Sequence, residues 1–419
     1  MSLDITTMDP LLKEVYSKDA VEDLVYDKNP LLGLIKKNQN MTGAYEVVPT
    51  IYGNPQARSA SFSRAVTRST STNTASKSFL VTRVTDYSLA SISNHVILAS
   101  KNDEGAFLRA LTLEIDGAIK SLTNSIATAV YGTGYGAIGQ IGSISTTTIT
   151  LLDLNNIVNF EVGMELMLSS AESTATLRAL GTSGNGLIIT SIDRIAGTIT
   201  FAANVTDATS GIPTAAANDY IFVRGDREDS ATPARLRISG LPAWCVYGGV
   251  AGSGDSFFGV DRAADKTRLG GLYYDGSAVP IEEALIEGAM LAGREGGMID
   301  HYFMSFPKYS ALEKALGSKV QYVDLKANAN IAFRGIRVNG PSGEINVIPD
   351  RSCPNNRCFG LTLSTWTLGS IGPMVRVIDA DGLEILRQAT LDGFEYRSAF
   401  YGNLYCNAPG WNININLGS

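Results

Sequence analysis

The spacing of apolar residues changes along the chain, and each change predicts a different element. Leu11, Leu12, Val15, Tyr16, Val21, Leu24 and Val25 recur at near-helical intervals until Asn29-Pro30 stops the run, and Leu31, Leu32, Leu34 and Ile35 follow. This predicts an amphipathic N-terminal arm. From Tyr45 onward apolar and polar residues alternate at Tyr45–Ile51 and again at Phe79–Ile92, around a polar middle, Asn54–Ser78. The pattern predicts a long hairpin with an extended tip. Leu108, Leu111, Ile115, Ile119, Leu122, Ile126 and Val130 then keep to one helical face. Asn102 is placed to cap that helix, Asp103 and Glu104 fall in its first turn where the dipole favours negative charge, and Gly132 ends it. At ~1.5 Å per residue, a helix over Asp103–Tyr131 is a rod of roughly 44 Å.

Beyond the glycine-rich segment Gly132–Gly142 the runs become short: Thr147–Leu152, Met164–Ser170, Gly186–Asp193, Gly197–Val205 and Asp219–Arg224, separated by Gly, Asn, Asp and Pro. Short strands at such spacing predict a small β-barrel or sandwich. The charged stretch Arg224–Arg235 closes it, which bounds an inserted unit at about Ala137–Thr232. Pro280 opens a helix through Ile281, Ala284, Leu285, Ala289 and Met290 that closes at Gly296-Gly297, and a second runs from Pro307 to Leu316. Strands are predicted at Ile331–Val338, Glu344–Ile348, Cys358–Leu363, Met374–Ile378, Phe394–Cys406 and Trp411–Leu417. No repeat of fixed period is present.

Charge alters this picture in two ways. Of 419 residues 44% are hydrophobic but only 18% are charged, against a typical ~25%. A water-facing surface normally carries more charge, so the deficit suggests an exterior largely covered by partners. The net charge of −7 excludes a protein whose main work is neutralising phosphates. Against that acidic background, no acidic residue lies between Val47 and Thr85, whereas Arg58, Arg64, Arg68, Lys77 and Arg83 do. Only Phe62 and Phe79 interleave the polar stretch, too few aromatics for base stacking, so the arm is expected to dock on an acidic neighbour.

Residues with catalytic or metal-binding potential are sparse. His95 and His301 have no partner at ligand spacing, and both are expected to be structural. Cys353 and Cys358 form a C-x4-C pair, but Cys245 and Cys406 supply no second pair at zinc spacing, so reduced cysteines and no metal are expected. Neither a Walker loop nor a G-x-S-x-G elbow occurs. The run Gly132-Thr-Gly134-Tyr-Gly-Ala137 follows a helix, not a strand, and reads as a terminator and hinge. The Arg224-Gly225-Asp226 tripeptide and the pairs Glu282/Glu283 and Asp379/Asp381 read as ordinary surface. The first ten residues lack a basic and apolar secretory leader, and the longest uncharged stretch is too polar to span a bilayer.

Four segments then stand out by their order: LVYDKNPLLGLIKK (Leu24–Lys37), FFGVDRAADKTRLGGLYYD (Phe257–Asp275), IPDRSCPNNRCFGL (Ile348–Leu361) and YGNLYCNAPGWNININL (Tyr401–Leu417). With the arm, hairpin, long helix and mixed C-terminal half, they resemble the major capsid proteins of tailed bacteriophages, the Hong Kong 97 type. The resemblance implies an α+β fold: an N-terminal arm over 1–43, an E-loop hairpin with peripheral strands over 44–100, and a spine helix of the peripheral domain over 101–136. It further implies a peripheral return over 233–279, an axial domain over 280–392 and C-terminal peripheral strands over 393–419. The region 137–232 does not belong to the minimal fold and reads as an inserted β-barrel or sandwich domain.

The function implied is structural: hexamers and pentamers of the chain closing an icosahedral shell around double-stranded DNA, with no catalytic, cofactor or metal centre. Arg58, Arg64, Arg68 and Lys77 are then E-loop contacts between subunits, and Leu108, Leu111, Ile115, Ile119, Leu122 and Ile126 are the packing face of the spine helix. Partners implied are copies of the chain, portal, scaffold and decoration proteins, and loosely held DNA, without a membrane; the implied location is the virion, assembled in the host bacterial cytoplasm. Some relatives cross-link a lysine to an asparagine. Lys77 is the only lysine in the hairpin and nothing marks its partner or a catalytic glutamate, so that chemistry is not carried over. The alternative is an encapsulin-like shell around protein cargo, against which the Ser/Thr-rich insertion argues.

Overall fold

The computed structural model describes residues 29–93, 104–250, 256–316, 322–326, 332–340, 343–379, 382, 385–387 and 392–418, with the side chains of 92–93, 104–114, 322–326, 332–335 and 339 also left out of the description. The arm before residue 29, the cap Asn102 and the first-turn Asp103, His95 and Asp381 lie outside the described residues.

Two sheets and a barrel carry the chain, each over its own apolar core. A six-stranded sheet is organised around Gly393–Cys406, which pairs antiparallel with Val84–Ser93, Trp366–Ser370, Arg376–Val377 and Ile385–Arg387; Lys36–Asn38 adds a parallel edge on Trp366–Ser370. The long helix, Glu104–Val130, lies against this sheet. Ile115, Ile119, Leu122, Ile126 and Val130 are all buried in the shared core with Leu31, Leu32, Trp366, Phe400 and Leu404. Leu108 and Leu111 fall within the helix, but their side chains are outside the described set.

The second sheet has seven strands, ordered Leu272–Asp275, Ile413–Asn416, Arg357–Leu361, His301–Met304, Gly343–Pro349, Ala332–Gly340 and Tyr322–Lys326. Helices Ile281–Arg294 and Phe306–Leu316 supply Ala284, Leu285, Ala289, Ala292 and Leu312 to its core. Glu282 and Glu283 sit in the first turn of the former, where the helix dipole favours them. The end of the long helix is tied to this sheet by Tyr131 Oη, which donates to Asp350 Oδ2 at 2.9 Å in a buried site. The C-terminal segment serves both sheets, Gly393–Cys406 in the first and Ile413–Asn416 in the second.

Between the long helix and the second half, strands Ala137–Ser145, Thr148–Leu151, Glu165–Ser169, Leu187–Asp193, Thr198–Phe201 and Tyr220–Val223 close a six-stranded antiparallel barrel. Its interior holds Ile141, Ile149, Phe160, Leu166, Leu168, Leu187, Ile189, Ile199 and Ile221, a cluster separate from the other two. The first strand, Ala137–Ser145, starts at the boundary expected for the inserted unit but was not among the runs read from the sequence. There the glycines serve packing: a Cβ on Gly139 would sit 3.1 Å from the Phe160 ring, and one on Gly142 3.1 Å from the Leu151 carbonyl.

Two further elements depart from expectation. The extended tip contains a helix, Phe62–Ser69. The strand His301–Met304 is central to the seven-stranded sheet; three of its four residues are buried, so it carries no alternation by which to recognise it.

Candidate interaction surface

The hairpin is built from Tyr45–Gly53 and Ala75–Thr82, paired from Tyr45 opposite Thr82 to Gly53 opposite Ala75. Alternation gives it two faces. Val48, Thr50, Phe79 and Val81 are buried, with the Phe79 ring edge-on to Trp244 at 5.0 Å and to Phe257 at 6.3 Å. The opposite face leaves Tyr45, Val47, Ile51 and Leu80 in solvent, with Ile51 67% exposed. Polar bonds fix the base: Asn403 Nδ2 donates to Thr82 O at 2.8 Å, Thr50 Oγ1 to Asn407 O at 3.1 Å, and Arg268 Nη1 to Tyr52 O at 2.7 Å.

Past Gly53 these ties cease. Thr67 Oγ1 donates to Ser63 O, Ser69 Oγ to Val66 O, and Thr72 Oγ1 to Arg68 O. Such bonds stay within four residues, and among the described residues no hydrogen bond or ion pair joins 54–74 to the rest of the chain. The helix buries no residue; Phe62 is 85% and Val66 49% exposed. At helical spacing Phe62, Ala65, Val66 and Ser69 share one face, with Arg64 and Arg68 displaced from it. An eight-residue helix without packing is marginal in water, since helices below ~12–15 residues draw their stability from a buried face.

Arg58, Arg64, Arg68 and Lys77 are all exposed. None pairs with an acidic group among the described residues. Arg83 behaves differently: half-buried at the base, it reaches Met41 O at 3.5 Å. The sequence reading missed the apolar side of the tip helix. Its signal was Phe62 and Val66 four apart, flanked by serines that serve helix ends as readily as loops.

The four cysteines are buried and His301 is half-buried. Cys245, Cys353 and Cys358 have thiols pushed well up by burial, and Cys406 is pushed up to about 12 by the same cause. Cys353 Sγ contacts the carbonyls of Phe303 and Arg357 at 3.8 and 3.7 Å. His301 lies in its strand with burial lowering its pKa to about 4. No helix among the described residues is long and apolar enough to cross a membrane.

No protein-family model matches the chain, nor does any of the curated proteins. Solved structures do overlay on it. The cyanophage A-1(L) capsid asymmetric unit is 12% identical, with TM-score 0.48, over 93% of this chain and 93% of that one. A Mycobacterium phage Bobi structure is 9% identical, with TM-score 0.42, over 99% of each chain. A virus-like particle from Pyrococcus furiosus is 8% identical, with TM-score 0.38, over 96% of this chain and 100% of that one. Identities and scores this low leave function to the chain's own features.

Proposed function

We propose that this chain is the building block of a closed phage shell, a major capsid protein of the Hong Kong 97 type. The observation that carries the reading is the hairpin. Its root is packed into the core, whereas Arg58, Arg64 and Arg68 of the tip and Lys77 of the adjoining strand pair with no acidic group, and no residue covers the apolar face of the tip helix, among the described residues. With a net charge of −7, other copies of the chain offer the complementary surface, and each copy gives an arm and receives one.

In this reading the long helix and the six-stranded sheet form the plate of the shell, and the seven-stranded sheet with its two helices forms the part that converges in hexamers and pentamers. The barrel stands off the plate as an inserted domain on the outer face. DNA is retained by enclosure, with only weak, salt-sensitive attraction to scattered Lys and Arg, and scaffold, portal and decoration proteins are expected partners. No bond-making step is assigned to the chain. The test is electron microscopy of the purified protein, expressed alone and with the neighbouring genes of its own genome. Closed shells containing nucleic acid support the reading; a monodisperse monomer under every condition overturns it, and shells packed with protein cargo replace it by the nanocompartment alternative.

A further inference from the structure

The unmet contacts of the hairpin tip have a counterpart on the barrel. Among the described residues the two large apolar side chains most open to solvent are Ile195, 95% exposed, and Phe62, 85%. Phe62 belongs to the tip helix, and Ile195 stands on the turn between strands Leu187–Asp193 and Thr198–Phe201. That turn is firmly built. Asp193 Oδ1 accepts from the N–H groups of Ile195 and Ala196 at 2.9 and 3.0 Å, and Leu151 N–H donates to Gly197 O at 3.0 Å. Gly197 takes φ +64, and a Cβ there would lie 2.5 Å from Leu154 Cδ2, so Leu154 packs against the turn. Leu152 and Leu154 are themselves exposed, which makes one apolar ridge of the turn and the segment beside it.

The charge around this ridge has one sign. Between Ala137 and Val223 the chain has no lysine and two arginines, Arg178 and Arg194, against seven acidic residues. Both arginines are engaged: Arg178 by Asp219 at 2.7 Å, and Arg194 by Glu161 at 2.8 Å and by the carbonyls of Ile157 and Phe160. Asp153 and Asp193 border the ridge and pair with no cation among the described residues. The N–H groups of Ala196 and Ile195 hold the Asp193 carboxyl below its ordinary value, so it is charged at neutral pH. The tip has the opposite sign, with Arg58, Arg64 and Arg68 exposed and no acidic residue from Val48 to Val84. Arg68, three residues after Ala65, borders the apolar face that carries Phe62 and Val66. Helix Ile281–Arg294 also exposes Ile286 and Met290 beside Glu283 and Glu287, but one turn beyond Met290 it presents the exposed cation Arg294.

We propose that the hairpin tip of one copy docks on the barrel turn of a neighbouring copy, with Phe62 and Val66 against Ile195 and Leu154 and the tip arginines drawn to Asp153 and Asp193. The inference rests on the reading of the chain as a shell subunit and names the surface that receives the arm. Docking takes the two most exposed apolar side chains out of water together and sets cations against carboxylates that fix the register of the contact. It also gives the short tip helix the buried face that its stability requires. The barrel is then a receiver, complete in its own fold and offering a finished surface to the next copy.

Val66→Cys combined with Ala196→Cys tests the contact, since both positions are exposed and the native cysteines are buried. A short bismaleimide should join the two in assembled particles, giving covalent oligomers on a denaturing gel, and should give none in dissociated subunits or in either single variant. A mutant cycle supplies the second reading. Phe62→Ser and Ile195→Ser should each raise the protein concentration needed for assembly a few fold, and the double variant no further than the larger single effect, because both remove one contact. Shells that form without any linked product, or single effects that multiply in the double variant, overturn the docking site and leave the shell reading standing. Linking of Val66→Cys to Glu287→Cys in place of Ala196→Cys would overturn it in favour of the helix Ile281–Arg294. A chain that forms no shell under any condition overturns both.

Discussion

The hairpin and the barrel both extend from sheets that have cores of their own, yet they are built on opposite principles. The barrel closes its strands on themselves, leaves no sheet edge and buries an apolar interior. It also settles its charges internally. Arg178 grips Asp219 through Nε and Nη2 at 3.0 and 2.7 Å. Burial pushes the Glu165 carboxyl up, but Gly186 N–H and Arg224 outweigh that and hold it below its ordinary value. Among the described residues the hairpin leaves its tip cations unpaired and its tip helix unpacked. A structure complete in itself can be carried as a passenger, whereas one that ends in unmet contacts needs a second surface to be ordered.

The largest expected effect breaks the self-sufficient side. Phe160 is fully buried in the barrel, and Phe160→Ala should cost about 3–5 kcal/mol of barrel stability. Denaturant unfolding followed by hydrogen exchange in the barrel strands reads it, and assembly should survive if the barrel is only a passenger. Replacing Arg58, Arg64, Arg68 and Lys77 together by Ser reverses the pattern. Unfolding should move by no more than about 0.5 kcal/mol per site, while particle yield at physiological salt should fall at least about tenfold, since each lost pair is worth ~0–1 kcal/mol and the loss recurs in every copy. Sedimentation velocity measures the yield. Smaller still is the effect of Phe62→Ser: unchanged unfolding, with a rise of a few fold in the protein concentration needed for assembly, read by light scattering. If Phe62→Ser instead lowered the unfolding midpoint as much as a core change, the tip would be packed against its own subunit and the contrast would fail.

The elements that the sequence displays best are those with one exposed and one buried face. The long helix announced itself because Ile115, Ile119, Leu122 and Ile126 recur on one side of the rod, and the hairpin strands because Val48 and Thr50, like Phe79 and Val81, are buried at every second position. His301–Met304 was hidden because three of its four residues are buried on both faces of a sheet, which erases the period of two. The first barrel strand was masked by Gly139 and Gly142, whose lack of a side chain reads as a linker but answers the Phe160 ring and the Leu151 backbone. At the tip, the positive charge was legible from composition alone. Its helix was not, because eight residues containing three Ser or Thr carry little propensity of their own. The contacts of buried Arg237 with Asp86 at 2.7 Å, with Ser125 and with Asp226 at 3.6 Å lay beyond sequence reading altogether, since these residues meet only through the fold.

The central claim, that the tip of the hairpin is ordered by another copy of the chain, is tested most directly by the reactivity of a thiol placed there. All four native cysteines are buried with raised thiol pKa values, so Val66→Cys would create the one readily labelled position among the described residues. Maleimide labelling should be fast in dissociated subunits and at least about tenfold slower in assembled particles, as burial at an interface demands. Equal labelling rates in the two states, or no assembled state in the unaltered protein to compare, would contradict the account.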